Sequence, residues 1–342
     1  MIESSDIDVI AIGNALVDVI AHGDDEFLAE FGLAKGTMHL IDEKRAQSLY
    51  GAMGPGIQIS GGAAANTAVG VASFGGSAHY VGKVRNDELG DAFGEDLRST
   101  GVGYDTPALA AGPSTGRCLI LVTPDAQRTM NTFLGASVVL CPDDVDETLI
   151  ARGAILFLEG YLFDPPDAQE AFRVAAQMSH AAGRRVALSL CDPFCVDRHR
   201  AAFRELVEHH VDVLFANESE ICSLYELDDF DAALERVRGV CEIAALTRGE
   251  RGSLIVTHNE VHMVDRVTVE QLVDTTGAGD LYAAGFLYGL SHGYDLPSCG
   301  RLGSLAAAEV ISHVGARPAS SLANIAASDP PDGLGAPAFA GS

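Results

Sequence analysis

Short apolar runs recur through the middle of the chain, each the length of a buried strand, and the stretches between them are long enough for helices. Residues 154–158, 186–190, 211–215 and 243–247 are the apolar runs. Residues 168–182, 198–209, 218–224 and 231–240 are the intervening or following helical stretches. This alternation predicts βαβ units around a parallel sheet. Residues 8–12, ended by Gly13, and residues 79–84 predict two further strands. Residues 63–74 and 87–99 predict helices stopped by glycine, and residues 278–290 and 297–313 predict two more at the end.

The first 135 residues otherwise break the rhythm. Residues 57–60 are extended, and residues 117–122 and 129–134 flank a turn-like stretch as a hairpin would. Residues 253–256 and 261–264 flank His258 and Asn259 in the same way. The expected organisation is one main unit over residues 1–323, with a discontinuous β lid drawn from residues 14–60 and 112–136. Residues 324–342, rich in Ala, Gly, Pro and Asp, read as a flexible tail.

Composition narrows the function. Acidic residues number 48 and basic residues 22, a net charge of −26 with a pI near 4.6. That argues against nucleic acid as a main ligand and against an anionic membrane surface. No apolar run reaches the roughly 20 residues of a membrane span. The seven cysteines form no C-x-x-C and no even framework, so free thiols in a reducing cytoplasm are expected. Any anionic substrate must be held by a few cations, a metal or backbone amides.

The most informative segment is Asp274-Thr275-Thr276-Gly277-Ala278-Gly279-Asp280, which opens an apolar helix. Gly277, Ala278 and Gly279 can aim amides at one anion, with the positive end of the helix dipole behind them. Asp280 beside them can take a proton from an attacking hydroxyl. Its plain structural reading is an acid at a helix start. There is no G-x-x-x-x-G-K-[ST] and no G-x-G-x-x-G, so a P-loop and a dinucleotide fingerprint are both absent. A second segment, Gly61-Gly62-Ala63-Ala64-Ala65-Asn66, allows close backbone approach of a ligand, or else close helix packing.

Together these segments resemble the two signature regions of the ribokinase, or PfkB carbohydrate kinase, family, and the likeness runs from about Asp8 to Pro318. The resemblance implies a ribokinase-like α/β/α sandwich, with a mostly parallel central sheet and a small β-sheet lid. It implies transfer of the γ-phosphoryl of ATP to an alcohol, with Asp280 as base and the amides of residues 277–279 as anion hole. Asn217 and Glu220 resemble the family's N-x-x-E motif, so Glu220 would hold Mg2+ through water. Asn217 alone would equally suit a helix N-cap. Thr247, Arg248, Gly249 and Gly252 resemble the loop along the nucleotide phosphates. Asp274 and Thr276 match positions that hold a monovalent cation such as K+ in some members.

For the alcohol, Asp18 matches the acid that accepts hydrogen bonds from vicinal hydroxyls, with Gly61, Gly62 and Asn66 beside it. Gly13-Asn14-Ala15-Leu16-Val17-Asp18 and the stretch around Phe194 resemble adenosine kinase-like members most. Leu16, Met38, Phe133, Tyr161 and Phe194 are the candidates to hold a base, each otherwise ordinary core. Arg128 is the candidate phosphate clamp. The expected reaction is phosphorylation of adenosine at its 5′-hydroxyl. The alternatives are a sugar kinase acting on a ribose-, fructose- or ketodeoxygluconate-like substrate, and a nucleoside-binding protein without turnover. The expected partners are ATP and a small molecule, with the chain a monomer or homodimer.

Overall fold

A computed structural model describes residues 5–125 and 127–329 of the chain. Its described residues hold fourteen strands: β1 (Ile7–Ile12), β2 (Leu16–His22), β3 (Met38–Leu40), β4 (Ile57–Gly61), β5 (Ala78–Val81), β6 (Gly103–Tyr104), β7 (Gly116–Val122), β8 (Arg128–Phe133), β9 (Gly153–Glu159), β10 (Arg185–Ser189), β11 (Val213–Asn217), β12 (Ile243–Thr247), β13 (Ser253–Val256) and β14 (Val261–Val264). Nine form one sheet in the order β14-β13-β12-β11-β10-β9-β1-β5-β6. It is parallel from β6 to β12 and antiparallel at β13 and β14.

Strand alternation divides the core in two. Val9, Ala11, Ile155, Phe157, Val213 and Phe215 pack on one face, with the Ala63–Ser73 and Ala278–Ser291 helices. Ile10, Ile12, Leu156, Leu158, Leu188 and Leu214 pack on the other, with the Pro166–Ala181 and Pro193–His210 helices. Both faces are covered, which is why the strands read as continuous apolar runs rather than alternating ones. The fold is the expected ribokinase-like α/β architecture.

The other five strands form a second sheet in the order β3-β8-β7-β2-β4. Only Gly13, Asn14 and Ala15 separate β2 from the central strand β1. Strand β2 was not legible as a strand, because its open face carries Leu16 and Ile20, and these erase the polar–apolar alternation. The Asp25–Glu30 and Glu43–Ala52 helices were missed as well. The chain is also ordered past residue 324. A Leu322–Ser328 helix, capped by Ser321, buries Leu322, and the Leu322 amide donates to Ser73 Oγ at 3.1 Å. The rest of the expected tail, residues 330–342, lies outside the described residues. Among the described residues no helix is long and apolar enough to cross a membrane.

Candidate active site

A cleft of about 390 Å3 opens where the parallel strands end, at Ser189, Asn217 and Thr247. Gly62, Asn66, Tyr161, Asn217, Glu220, Thr247, Thr276 and the whole run from Gly277 to Asp280 line it. Residues more than 200 apart in sequence therefore meet, as the two glycine-rich segments imply. The close approach has a packing basis. A Cβ on Gly70 would lie 2.5 Å from Ala284 Cβ, so small residues let the two site-bearing helices touch. Within the Gly-Ala run Ala64 and Ala65 are buried, and Gly62, Ala63 and Asn66 line the cleft.

Asp280 sits in the first turn of the Ala278–Ser291 helix. Its Oδ2 accepts a hydrogen bond from Asn66 Nδ2 at 3.0 Å, and its carbonyl accepts one from Thr67 Oγ1 at 3.1 Å. Burial pushes its carboxyl up to about 7. Asn66 opposes the shift, and the nearby charges of Glu159 and Asp18 add to it. A carboxylate tuned near neutrality can take a proton at physiological pH.

The anion hole differs in one detail from expectation. The Ala278 amide donates to the Thr275 carbonyl at 3.2 Å, so it is already engaged. The amides of Gly277, Gly279 and Asp280 have no partner among the described residues and are the open donors. Gly277 has φ +79°, and a Cβ there would lie 2.7 Å from Ala316 Cα. At Gly279 a Cβ would meet nothing within 4 Å, so that side is open for a ligand.

Asp18 projects from β2 against Gly61, where a Cβ would fall 2.6 Å from its carboxyl carbon. Burial raises its carboxyl to about 6, against the pull of Arg317 and Arg128. Register places Asp18 in a row with Ile59, Cys118 and Thr132, and the next row holds Ile20, Ile120, Met130 and Met38. Leu16 shares this face, two residues before Asp18. Phe133 does not. It pairs with Arg117 and Val17 on the opposite face, its ring 5.9 Å from the Arg117 guanidinium. Phe194 is 73% exposed at a helix start and does not line the cleft. Tyr161 does line it, donating to the Cys191 carbonyl at 3.2 Å.

Asn217 and Glu220 form a reciprocal cap on the Glu218–Tyr225 helix. Both Glu220 oxygens accept from Asn217, at 2.6 and 2.9 Å. Burial raises Glu220 to about 7, with the Asn217 amide opposing and Asp192 and Asp280 adding. The N-cap reading of Asn217 is therefore true alongside its place in the cleft.

Other positions fall elsewhere. Arg248 pairs with Glu218 at 3.0 Å and lies over the Phe230 ring at 4.6 Å, lining a neighbouring groove. Gly249 and Gly252 adopt positive φ in the tight loop before β13. Arg128 reaches from the second sheet to the Asp274 carboxylate. That carboxylate also accepts from Thr276 and from the Gly315 amide. Burial would raise Asp274, but these partners outweigh it and hold it below the usual range. Protein donors thus engage both Asp274 oxygens.

Two residues escaped the sequence reading. Glu159 is 1% exposed and accepts from the Asn14 amide (3.2 Å), Asn14 Nδ2 (2.9 Å) and the Ala64 amide (2.7 Å), so it pins the crossing from β1 to β2 to the helix beneath the cleft. Arg317 donates to Asn66 Oδ1. Its only sequence signal was a lone cation in an otherwise small and apolar stretch before Pro318.

An α/β sheet with a smaller second sheet, an amide-lined helix start and a neighbouring tuned aspartate fit a phosphoryl-transferring kinase. The chain belongs to the pfkB family of carbohydrate kinases, whose profile matches residues 25–323. It is similar to the solved structure of an adenosine kinase from Sinorhizobium meliloti, with 50% identity and a TM-score of 0.87 over 94% of this chain and 99% of that one. It is similar also to a probable sugar kinase from Rhizobium etli, with 47% identity and a TM-score of 0.88 over 95% of this chain and 99% of that one. The adenosine kinase of Saccharomyces cerevisiae is 28% identical over 90% of this chain and 95% of its own length.

Proposed function

We propose that the protein transfers the γ-phosphoryl of ATP to the 5′-hydroxyl of adenosine, giving AMP and ADP. The observation that carries this reading is the face of the second sheet that bears Asp18. One carboxylate there is set among Leu16, Ile20, Ile59, Ile120 and Met130. A ribose offers vicinal hydroxyls to the carboxylate, and a flat base suits the apolar surround. The likeness to two adenosine kinases points the same way.

Asp280 accepts the hydroxyl proton as the oxygen attacks the γ-phosphorus, and the bond to the β-phosphate oxygen breaks. The Gly277, Gly279 and Asp280 amides receive the charge that spreads over the transferring group. The donor set suits Mg2+ bound through water. Among the described residues no three His, Cys, Asp or Glu side chains are clustered to grip a metal directly, and Glu220 and Asn217 offer hard oxygens at the cleft wall. Bound with ATP, Mg2+ would neutralise phosphate charge.

A panel of adenosine, inosine, ribose, fructose and 2-keto-3-deoxygluconate, each with Mg-ATP, tests the substrate. Adenosine is expected to give the highest kcat/KM. No turnover with adenosine, and turnover with a sugar, would replace this reading with the sugar kinase suggested by the Rhizobium etli likeness.

The pH profile tests the base. Asp280 must be ionised to accept a proton, and its carboxyl is raised to about 7. Activity is therefore lost as pH falls, not as it rises. kcat/KM is expected to reach a plateau above about pH 7.5 and to drop about tenfold per unit on the acid side. A profile flat from pH 5 to 8 would contradict that role.

A further inference from the structure

Gly315, Ala316 and Arg317 each brace a different part of the site. The Gly315 amide donates to Asp274 Oδ2 at 3.0 Å, and Ala316 packs against Gly277. Arg317 reaches furthest. Its Nε donates to Asn66 Oδ1 at 3.3 Å, one terminal nitrogen donates to Ser60 Oγ at 2.8 Å, and the other lies 3.5 Å from Asp96 Oδ2. Only 14% of its side chain is exposed.

We infer that Arg317 is a positioning residue for phosphoryl transfer, acting through the Asn66 side chain. A guanidinium can only donate, so its Nε–H requires an oxygen and turns Asn66 Oδ1 toward itself. The Asn66 NH2 must then face Asp280. The opposite orientation would set an amide oxygen against a carboxylate. With Asn66 so held, Asp280 Oδ2 is occupied, and Oδ1 has no partner among the described residues. The lone pair that takes the substrate proton is thereby chosen. Asn66 is 5% exposed, so water does not readily substitute for this anchor. The same guanidinium ties Ser60, at the end of β4, to the catalytic base.

This inference rests on Asp280 being the base, and the experiment separates the two. Steady-state kcat and KM are measured with Mg-ATP and whichever panel alcohol turns over, for Asn66→Ala, Arg317→Met, the double variant and Asp280→Asn. Arg317→Met is expected to lower kcat at least tenfold with a smaller change in KM. The double variant is expected to lose no more than Asn66→Ala alone, because Arg317 acts through the residue already removed. Multiplied losses in the double variant would overturn the inference and leave the base assignment standing. An undiminished rate in Asp280→Asn would overturn the base assignment itself. Arg317→Lys keeps a cation beside Asp96, and hence the fold, but lacks a planar Nε–H. It is expected to be as slow as Arg317→Met, and recovery of wild-type kcat by lysine would overturn the inference.

Discussion

Replacing Asp280 by asparagine is expected to lower kcat by about 10²–10⁴-fold, the contribution of a general base. The change is nearly isosteric. The new side-chain oxygen can still accept from Asn66 Nδ2, so the helix start and the amide donors keep their places. What disappears is the ability to take a proton. Binding should survive, because Asp18 and the open amides are untouched. Steady-state kcat read beside calorimetric Kd values for nucleotide and alcohol checks both halves. If kcat were unchanged, the proton would have to leave by another route, and Asp280 would drop out of the mechanism. Stability is expected to hold or rise. The Asp280 carboxyl is raised from 3.8 to about 7, so keeping it ionised in the folded protein near neutral pH is unfavourable, and the amide removes that cost.

Gly277→Ala is expected to reduce kcat by about 10²–10³-fold, the scale of losing a donor to a developing oxyanion. Its φ of +79° lies in the left-handed region, which costs a side chain roughly 1–2 kcal/mol. The added methyl would also sit 2.7 Å from Ala316 Cα and 2.8 Å from Ala316 O. Backbone cannot swing aside as a flexible side chain can, so the loop must move and its amides must re-aim. Gly279→Ala is the contrast. With nothing within 4 Å of its Cβ and no positive φ, it is expected to fold with unchanged Tm. Its methyl projects into the ligand's space, so the expected effect is a raised KM for ATP. Equal losses of stability in the two variants would show that the clash with Ala316 does not govern the loop.

Much of this was legible from sequence, for identifiable reasons. Strands buried on both faces announce themselves as apolar runs, so the nine-stranded sheet could be read almost strand by strand. The Asp274 to Asp280 segment was legible because backbone amides at a helix start need glycines, and glycines are visible. The second sheet was harder. Leu16 and Ile20 are apolar on the half-buried face of β2, and that removed its period-two signal. The face that Phe133 takes was not legible for a related reason: composition says nothing of register, and one residue of register decides the face. The partners of Arg248, Glu218 and the Phe230 ring, were not legible, because a cation near a glycine loop can meet either a ligand or a neighbouring acid. Glu159 and Arg317 could not be found at all. Their partners, Asn14 and Ala64 for one and Asn66 for the other, lie far off in sequence, and neither residue sits in a motif.

The brace formed by Gly315, Ala316 and Arg317 bears on how the molecule comes into being. Both sheets are complete once the chain reaches Val264, and the helix that carries Asp280 is complete at Ser291. A growing polypeptide at that stage has the strands of both sheets but lacks the Leu296–Val310 helix and the three contacts that hold Asp274, Gly277 and Asn66 in place. The site is finished only when the chain has reached Arg317. Catalysis therefore reports on the arrival of that segment, which a measurement of sheet content would miss.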